Sequence, residues 1–168
     1  MTQETLFDIA PVFAVTFDKD PATFAPDYTL VFHALMKRNP GKGYGYYCLT
    51  SNRTGRTKRA DNFALAEGKA ITNNRAAYLA LAHALSKLLE LIQRGGDGPE
   101  NFTVEIGGCV QFIIRQLKDE MGVSEHLNDV HEQCLRLMGR FKAVNPIWLP
   151  KEQIYENLGL GNENNSRA

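Results

Sequence analysis

Apolar residues recur at three- and four-residue steps from Ala77 through Leu81, Leu85 and Leu88 to Ile92, a stripe that predicts one long helix facing a core. Thr72-Asn73-Asn74 ahead of it supply the short polar side chains that a first helical turn needs, and Gly95-Gly96 stop it. The helix is expected to begin at Thr72 or Asn73. Its N-terminus turns partial positive charge and free N–H groups toward any anion that lies there. The rest of the chain is patterned in shorter pieces. Residues 28–35 read as a buried strand, 39–43 as a turn, 44–50 as a second strand, 52–55 as a turn, and 57–70 as mostly a third strand. After the long helix, 102–106 alternate cleanly as a fourth strand and 110–120 form a short amphipathic helix. Ser124 is expected to cap a helix to about residue 141, with Leu127, Val130, Cys134, Leu137 and Met138 as its stripe. A short strand at 147–149 and a helical stub at 152–158 complete the order β-β-β-α-β-α-α-β-α, an α/β chain without internal repeat. Residues 11–17 suit either an extra strand or an irregular arm, because prolines and aspartates crowd around them.

Length adds one constraint: 168 residues, 43% of them hydrophobic, fit a single domain with a sizeable core. The charge balance of 19 basic and 19 acidic residues hides an asymmetry. Nine basic residues (Lys37, Arg38, Lys42, Arg53, Arg56, Lys58, Arg59, Lys69, Arg75) fall between 37 and 75 against only Asp61 and Glu67. That segment favours a polyanionic partner, although edge strands also carry such charges for solubility. Cys48, Cys109 and Cys134 are odd in number and widely spaced, which argues for reduced thiols and a cytoplasmic protein rather than a disulfide framework. No stretch reaches membrane-spanning length and no signal peptide is expected.

Two motifs then carry a resemblance. Asn39-Pro40-Gly41-Lys42-Gly43-Tyr44-Gly45 after the first strand and Thr72-Asn73-Asn74-Arg75 at the helix start stand in the order and element context of the type 1 ribonuclease H family, and Gly108-Cys109-Val110-Gln111 takes the place of its turn after the fourth strand. The resemblance implies a ribonuclease H-like, five-stranded mixed sheet flanked by helices over residues 28–158, with 1–27 an N-terminal arm or extra strand and 159–168 a disordered tail. The family hydrolyses the RNA strand of hybrid duplexes with two magnesium ions held by four carboxylates. Counted from the shared motifs, three of those carboxylates fall on His33, Ala77 and Cys109, and the fourth can be placed only loosely, at Glu156 or Asn157. Magnesium demands hard oxygen ligands, so two-metal hydrolysis is expected to be absent, with no cofactor.

His33 and Cys109 could form a soft-metal pair for zinc or a nucleophile–base dyad, but no third ligand accompanies them, and packed residues are the expectation. Asp18 and Asp20 fall outside the site by the Asn-Pro-Gly spacing and are expected in solvated loop. His83, His126 and His131 read as surface or core-edge histidines. The resemblance implies that Asn39, Thr72, Asn73, Asn74 and Gln111 contact nucleic acid, with Arg75 in electrostatic support. Asn39, Thr72 and Asn73 suit turns and caps equally well. The expected function is therefore a catalytically inactive domain that binds an RNA/DNA hybrid or double-stranded RNA. The alternatives are a structural or protein-interaction subunit with neither activity, and a ribonuclease H-type nuclease with an atypical metal site.

Overall fold

A computed structural model describes residues 14–18, 20 and 23–160 of the chain. The polar breaks around Asn39 and Asn52 fold the first half into an antiparallel meander of β1 (Tyr28–Met36), β2 (Gly43–Ser51) and β3 (Thr57–Ala64). β1 and β2 pair without a slip from Tyr28–Ser51 to Met36–Gly43. Alternation along β1 sorts the two faces of the sheet, as the two-residue period of a strand requires. Leu30 and Phe32 enter the main core, while Val31 joins Tyr46 and Cys48 of β2 in a smaller cluster on the opposite side. Among the described strands β3 pairs with β2 alone, at the edge of the sheet, and it exposes Lys58 and Arg59, charges that protect an edge.

The third strand stops at Ala64 rather than running to 70. Leu65 N–H bonds to the Gly43 carbonyl at 2.9 Å, and the chain then turns through Ala66 and Glu67, both at positive φ (51° and 52°). Ile71 returns to bridge Gly41, with N–H to O distances of 2.7 and 3.0 Å in the two directions. This bridge sets the start of α1 (Asn73–Arg94) beside the β1–β2 turn. Ala76, Ala77, Leu81, Leu85, Leu88 and Ile92 are among its buried residues, the stripe that the sequence shows.

β4 (Thr103–Gly108) runs parallel to β1, and β5 (Ala143–Trp148) parallel to β4, giving the strand order β3-β2-β1-β4-β5. Gly108 is required where it stands, since a Cβ there would lie 2.7 Å from the Phe32 ring. β5 is longer than the three residues expected, because Pro146 is tolerated within it. Val144 pairs outward with the arm, its N–H donating to Thr16 at 2.9 Å and its carbonyl accepting from Asp18 at 3.2 Å. Two residues on, Pro146 turns its missing N–H to that same outer side, where no ladder bond is lost. The described part of the arm thus contributes a single bridge at Phe17, with 14–16 in irregular backbone; residues 11–13 of the expected strand at 11–17 lie outside the described residues.

α1, α2 (Gln111–Leu117) and α3 (Asn128–Met138) share the main core, and α4 (Lys151–Leu158) covers the other face of β1 and β2. Ser124 does not cap α3. It precedes a 3-10 turn, Glu125–Leu127, and makes no side-chain capping bond. A buried polar chain ties the three core helices together: Tyr78 Oη donates to Gln116 Oε1 at 2.5 Å, Gln116 Nε2 donates to the Gly122 carbonyl at 3.0 Å, and Cys134 Sγ lies 3.3 Å from the Tyr78 carbonyl. His83 stacks on Phe63 with centroids 4.2 Å apart, and His131 Nε2 lies 3.3 Å from the Gln116 carbonyl. α4 ends at Gly159 in the left-handed region (φ 73°), and Leu160 packs against the smaller cluster; residues 161–168 of the expected tail are outside the described residues.

Candidate functional site

Parallel pairing of β1 and β4 brings the ends of both strands to one edge of the sheet, and the start of α1 closes over it. His33, near the end of β1, is 8% exposed. Its Nδ1 lies 3.4 Å from Sγ of Cys109, the residue that follows β4. Ala77, on the first turns of α1, is 5% exposed. Together with Asn73, Asn74 and Val110 these residues line a cavity of about 260 Å³. Residues separated by as much as 76 positions thus meet, as the motif spacing implies.

Burial governs the chemistry of the pair. It pushes the His33 imidazole down to about 4, assisted by the Lys151 ammonium, so the ring is neutral at pH 7. It pushes the Cys109 thiol up, against a smaller opposing pull from Lys151, so the sulfur is a thiol and a poor nucleophile. The Tyr155 ring packs edge-on against His33 at 5.3 Å between centroids. His33 Nε2 and Tyr155 Oη are buried without a hydrogen-bond partner among the described residues.

The cleft does not fit magnesium. The positions that the resemblance assigns to carboxylates hold an imidazole, a methyl and a thiol, and the side-chain oxygens on the wall are those of the neutral amides Asn73 and Asn74, not the charged carboxylates that paired magnesium ions require. Among the described residues no group of three or more His, Cys, Asp and Glu could hold a metal ion.

Glu156 and Asn157 do not reach this cleft. The inward face of α4 is Ile154, Tyr155 and Leu158, while Glu156 is exposed and the Asn157 carbonyl accepts from Arg59 Nε at 3.0 Å. One turn before Tyr155 on that same face is Lys151, whose Nζ lies 5.4 Å from the Tyr155 ring centroid. Lys151 and Trp148 are the residues the motifs missed. The four-residue spacing of Lys151 and Tyr155 directly after Pro150 was the available signal. Trp148 is 46% exposed, and its Nε1–H donates to the Cys109 carbonyl at 3.1 Å, which fixes the indole beside the cleft.

The binding residues inferred from the motifs divide into two groups. Asn73 and Asn74 line the cavity, and Gln111 is exposed at the start of α2 in a neighbouring groove with Trp148. Asn39, Thr72 and Arg75 are engaged within the protein. Asn39 Oδ1 accepts from the Asn73 N–H at 3.1 Å and Thr72 Oγ1 from the Arg75 N–H at 3.3 Å, so both satisfy the first turn of α1. Arg75 is paired with Asp129 of α3.

The chain matches no family model and no curated protein. Among solved structures it is similar to ribonuclease H1 from the halophilic archaeon Halobacterium salinarum NRC-1, at 21% identity and a TM-score of 0.62 over 84% of this chain and 98% of that one. It is similar to the N-terminal ribonuclease H domain of Rv2228c from Mycobacterium tuberculosis at 14% identity and a TM-score of 0.65, over 85% of this chain and 98% of that one. LC11 ribonuclease H1 in complex with an RNA/DNA hybrid matches at 22% identity and a TM-score of 0.61, over 77% of this chain and 89% of that one. The mixed five-stranded sheet, its strand order and the helices on both faces make this a ribonuclease H-like α/β fold.

Proposed function

We propose that residues 28–158 form a catalytically inactive ribonuclease H-like domain that binds a nucleic-acid duplex, an RNA/DNA hybrid or double-stranded RNA, without cleaving it, in the cytoplasm. One observation carries the reading: the cavity at the sheet edge presents a neutral imidazole, a methyl group and a thiol where the resemblance calls for carboxylates, yet keeps the amides of Asn73 and Asn74 on its wall. Hydrolysis by paired metals needs carboxylate ligands, and none lines this cavity among the described residues. Amides reach sugar and minor-groove acceptors without metal. The LC11 ribonuclease H1 complex supports the partner, since a protein of the same fold holds an RNA/DNA hybrid.

The rival is a protein-interaction subunit. It is favoured by the internal engagement of Asn39, Thr72 and Arg75, which gives those motif residues a purpose in the fold alone. Incubation of a labelled hybrid and of double-stranded RNA with the full chain decides between them. Salt-sensitive binding with no cleavage in magnesium or manganese supports the proposal; no binding to any duplex at micromolar protein supports the interaction subunit. Metal-dependent cleavage lost in Cys109→Ala would instead support a nuclease with an atypical metal site.

A further inference from the structure

Resting on the duplex-binding reading above, we infer that the cleft takes a phosphodiester of the bound strand directly, between the ammonium of Lys151 and the amides of Asn73 and Asn74, with no divalent cation between protein and phosphate. Three observations converge on it. Lys151 is the first residue of α4, behind Pro150, and shares the inward face with Ile154, Tyr155 and Leu158 while remaining exposed. Its Nζ sits 5.4 Å from the Tyr155 ring centroid, and that ring lies edge-on to His33, which lines the cavity, so the ammonium stands on the His33 side of the cleft, one aromatic ring away. Lys151 has no ion-pair partner among the described residues.

The surroundings leave that charge uncompensated. Among the described residues, the charged group that acts on both His33 and Cys109 is Lys151. His33 is neutral at pH 7, so it neither repels the ammonium nor competes for the anion. A cleft lined by carboxylates repels phosphate until metal intervenes, whereas a neutral cleft with a lysine to one side attracts it. The unpartnered Nε2 of His33, in a side chain only 8% exposed, leaves one further polar atom in the cavity wall.

The test is fluorescence anisotropy of a labelled RNA/DNA hybrid with the full chain, in EDTA and then in magnesium, for the unmodified protein, Lys151→Gln and Lys151→Arg. Thermal unfolding of each verifies the fold, which an exposed lysine is not expected to disturb. Equal affinity in EDTA and magnesium is expected. Lys151→Gln should bind more weakly with a salt slope lower by about one, and Lys151→Arg should retain both. Binding that requires magnesium, or a Lys151→Gln variant indistinguishable from the unmodified chain, overturns this inference and leaves duplex binding standing. Absence of binding in the unmodified chain overturns both.

Discussion

The guanidinium of Arg75 meets the carboxylate of Asp129 in two parallel bonds, Nη1 to Oδ1 at 3.0 Å and Nη2 to Oδ2 at 2.5 Å, and Nη1 also donates to the His126 carbonyl at 3.2 Å. Residues 54 positions apart thereby fasten the first turn of α1 to the start of α3. The Arg75 side chain keeps 33% exposure and that of Asp129 64%, so screening holds the pair to about 1 kcal/mol or less. Arg75→Ala and Asp129→Ala should each lower the urea-unfolding free energy by that order, and the double variant should lose little more than either alone. The salt slope of duplex binding should stay where it is. A lowered slope in Arg75→Ala alone would show that the guanidinium leaves Asp129 to meet phosphate.

Capping and recognition should separate at the adjoining positions. Thr72→Ala and Asn39→Ala each remove an oxygen that satisfies a first-turn N–H, at a cost of about 1 kcal/mol each. The N–H that Asn39 accepts from is the backbone of Asn73, so the Asn73 side chain is not spent in that bond. Asn73→Ala with Asn74→Ala should therefore unfold close to the unmodified chain and lose discrimination among hybrid, RNA and DNA duplexes, because amides near the minor groove sense the 2′-hydroxyl. Competition binding with the three duplexes measures this. Unchanged discrimination would return both amides to a purely structural role.

What was legible in the sequence was local. The cap at Thr72, the stripe from Ala77 to Ile92 and the turn at 39–43 each announce themselves within one helical period or one turn, and the structure keeps the cap and the stripe and reverses the chain at that turn, with β2 starting at Gly43. The third strand was overextended because nothing in Ala66-Glu67 advertises two non-glycine residues at positive φ. Pro146 hid β5, since its tolerance depends on a register with β4 that turns its missing N–H to the outer side of the sheet, which position 146 alone does not reveal. The pairing of Arg75 was not legible because Asp129, 54 positions away, is invisible from position 75. Lys151 escaped notice for a similar reason: its relation to His33 runs through the packing of α4 on the sheet, and no motif surrounds it.

Buried His33 should make the fold acid-sensitive. The unfolded ring takes up its proton near pH 6.5 and the folded one only near 4, first because of burial and second because of Lys151. The unfolded state therefore binds more protons in that window, so stability rises with pH through it. The His33 contribution is fully present above about 6.5 and is lost as pH falls toward 4, up to about 3 kcal/mol. Urea unfolding across this range should show a smaller acid loss for His33→Phe than for the unmodified chain. Parallel pH profiles would mean that the ring titrates normally in the folded protein.

Magnesium should leave the thermal midpoint unchanged. A ligand that binds the native state raises stability by mass action, and this cleft, with an imidazole, a methyl, a thiol and the neutral amides of Asn73 and Asn74, gives the ion no carboxylate to bind. Scanning calorimetry in EDTA and in millimolar magnesium measures the difference. A rise of several degrees would require a specific site on the folded chain.

The basic segment should act from one end only. The β1–β2 turn carries Lys37, Arg38 and Lys42 at the end of the sheet where His33 and the start of α1 lie, because β1 runs from Tyr28 toward Met36 and Asn39 bonds to Asn73. The β2–β3 turn carries Arg53 and Arg56 at the opposite end, beside Tyr28 and Ser51. Arg53 is moreover already paired with Asp27 at 2.9 Å and lies over the Phe102 ring at 5.0 Å. Counterion release makes log affinity fall in proportion to the phosphates neutralised. Lys37→Gln, Arg38→Gln and Lys42→Gln combined should thus lower the salt slope by up to about three and weaken every duplex alike, since these side chains meet backbone charge without reading sugar or sequence. Arg53→Gln with Arg56→Gln should leave the slope intact and cost stability through the lost Asp27 pair. Equal losses from the two combinations would mean that the duplex lies along the sheet edge rather than across the mouth of the cleft.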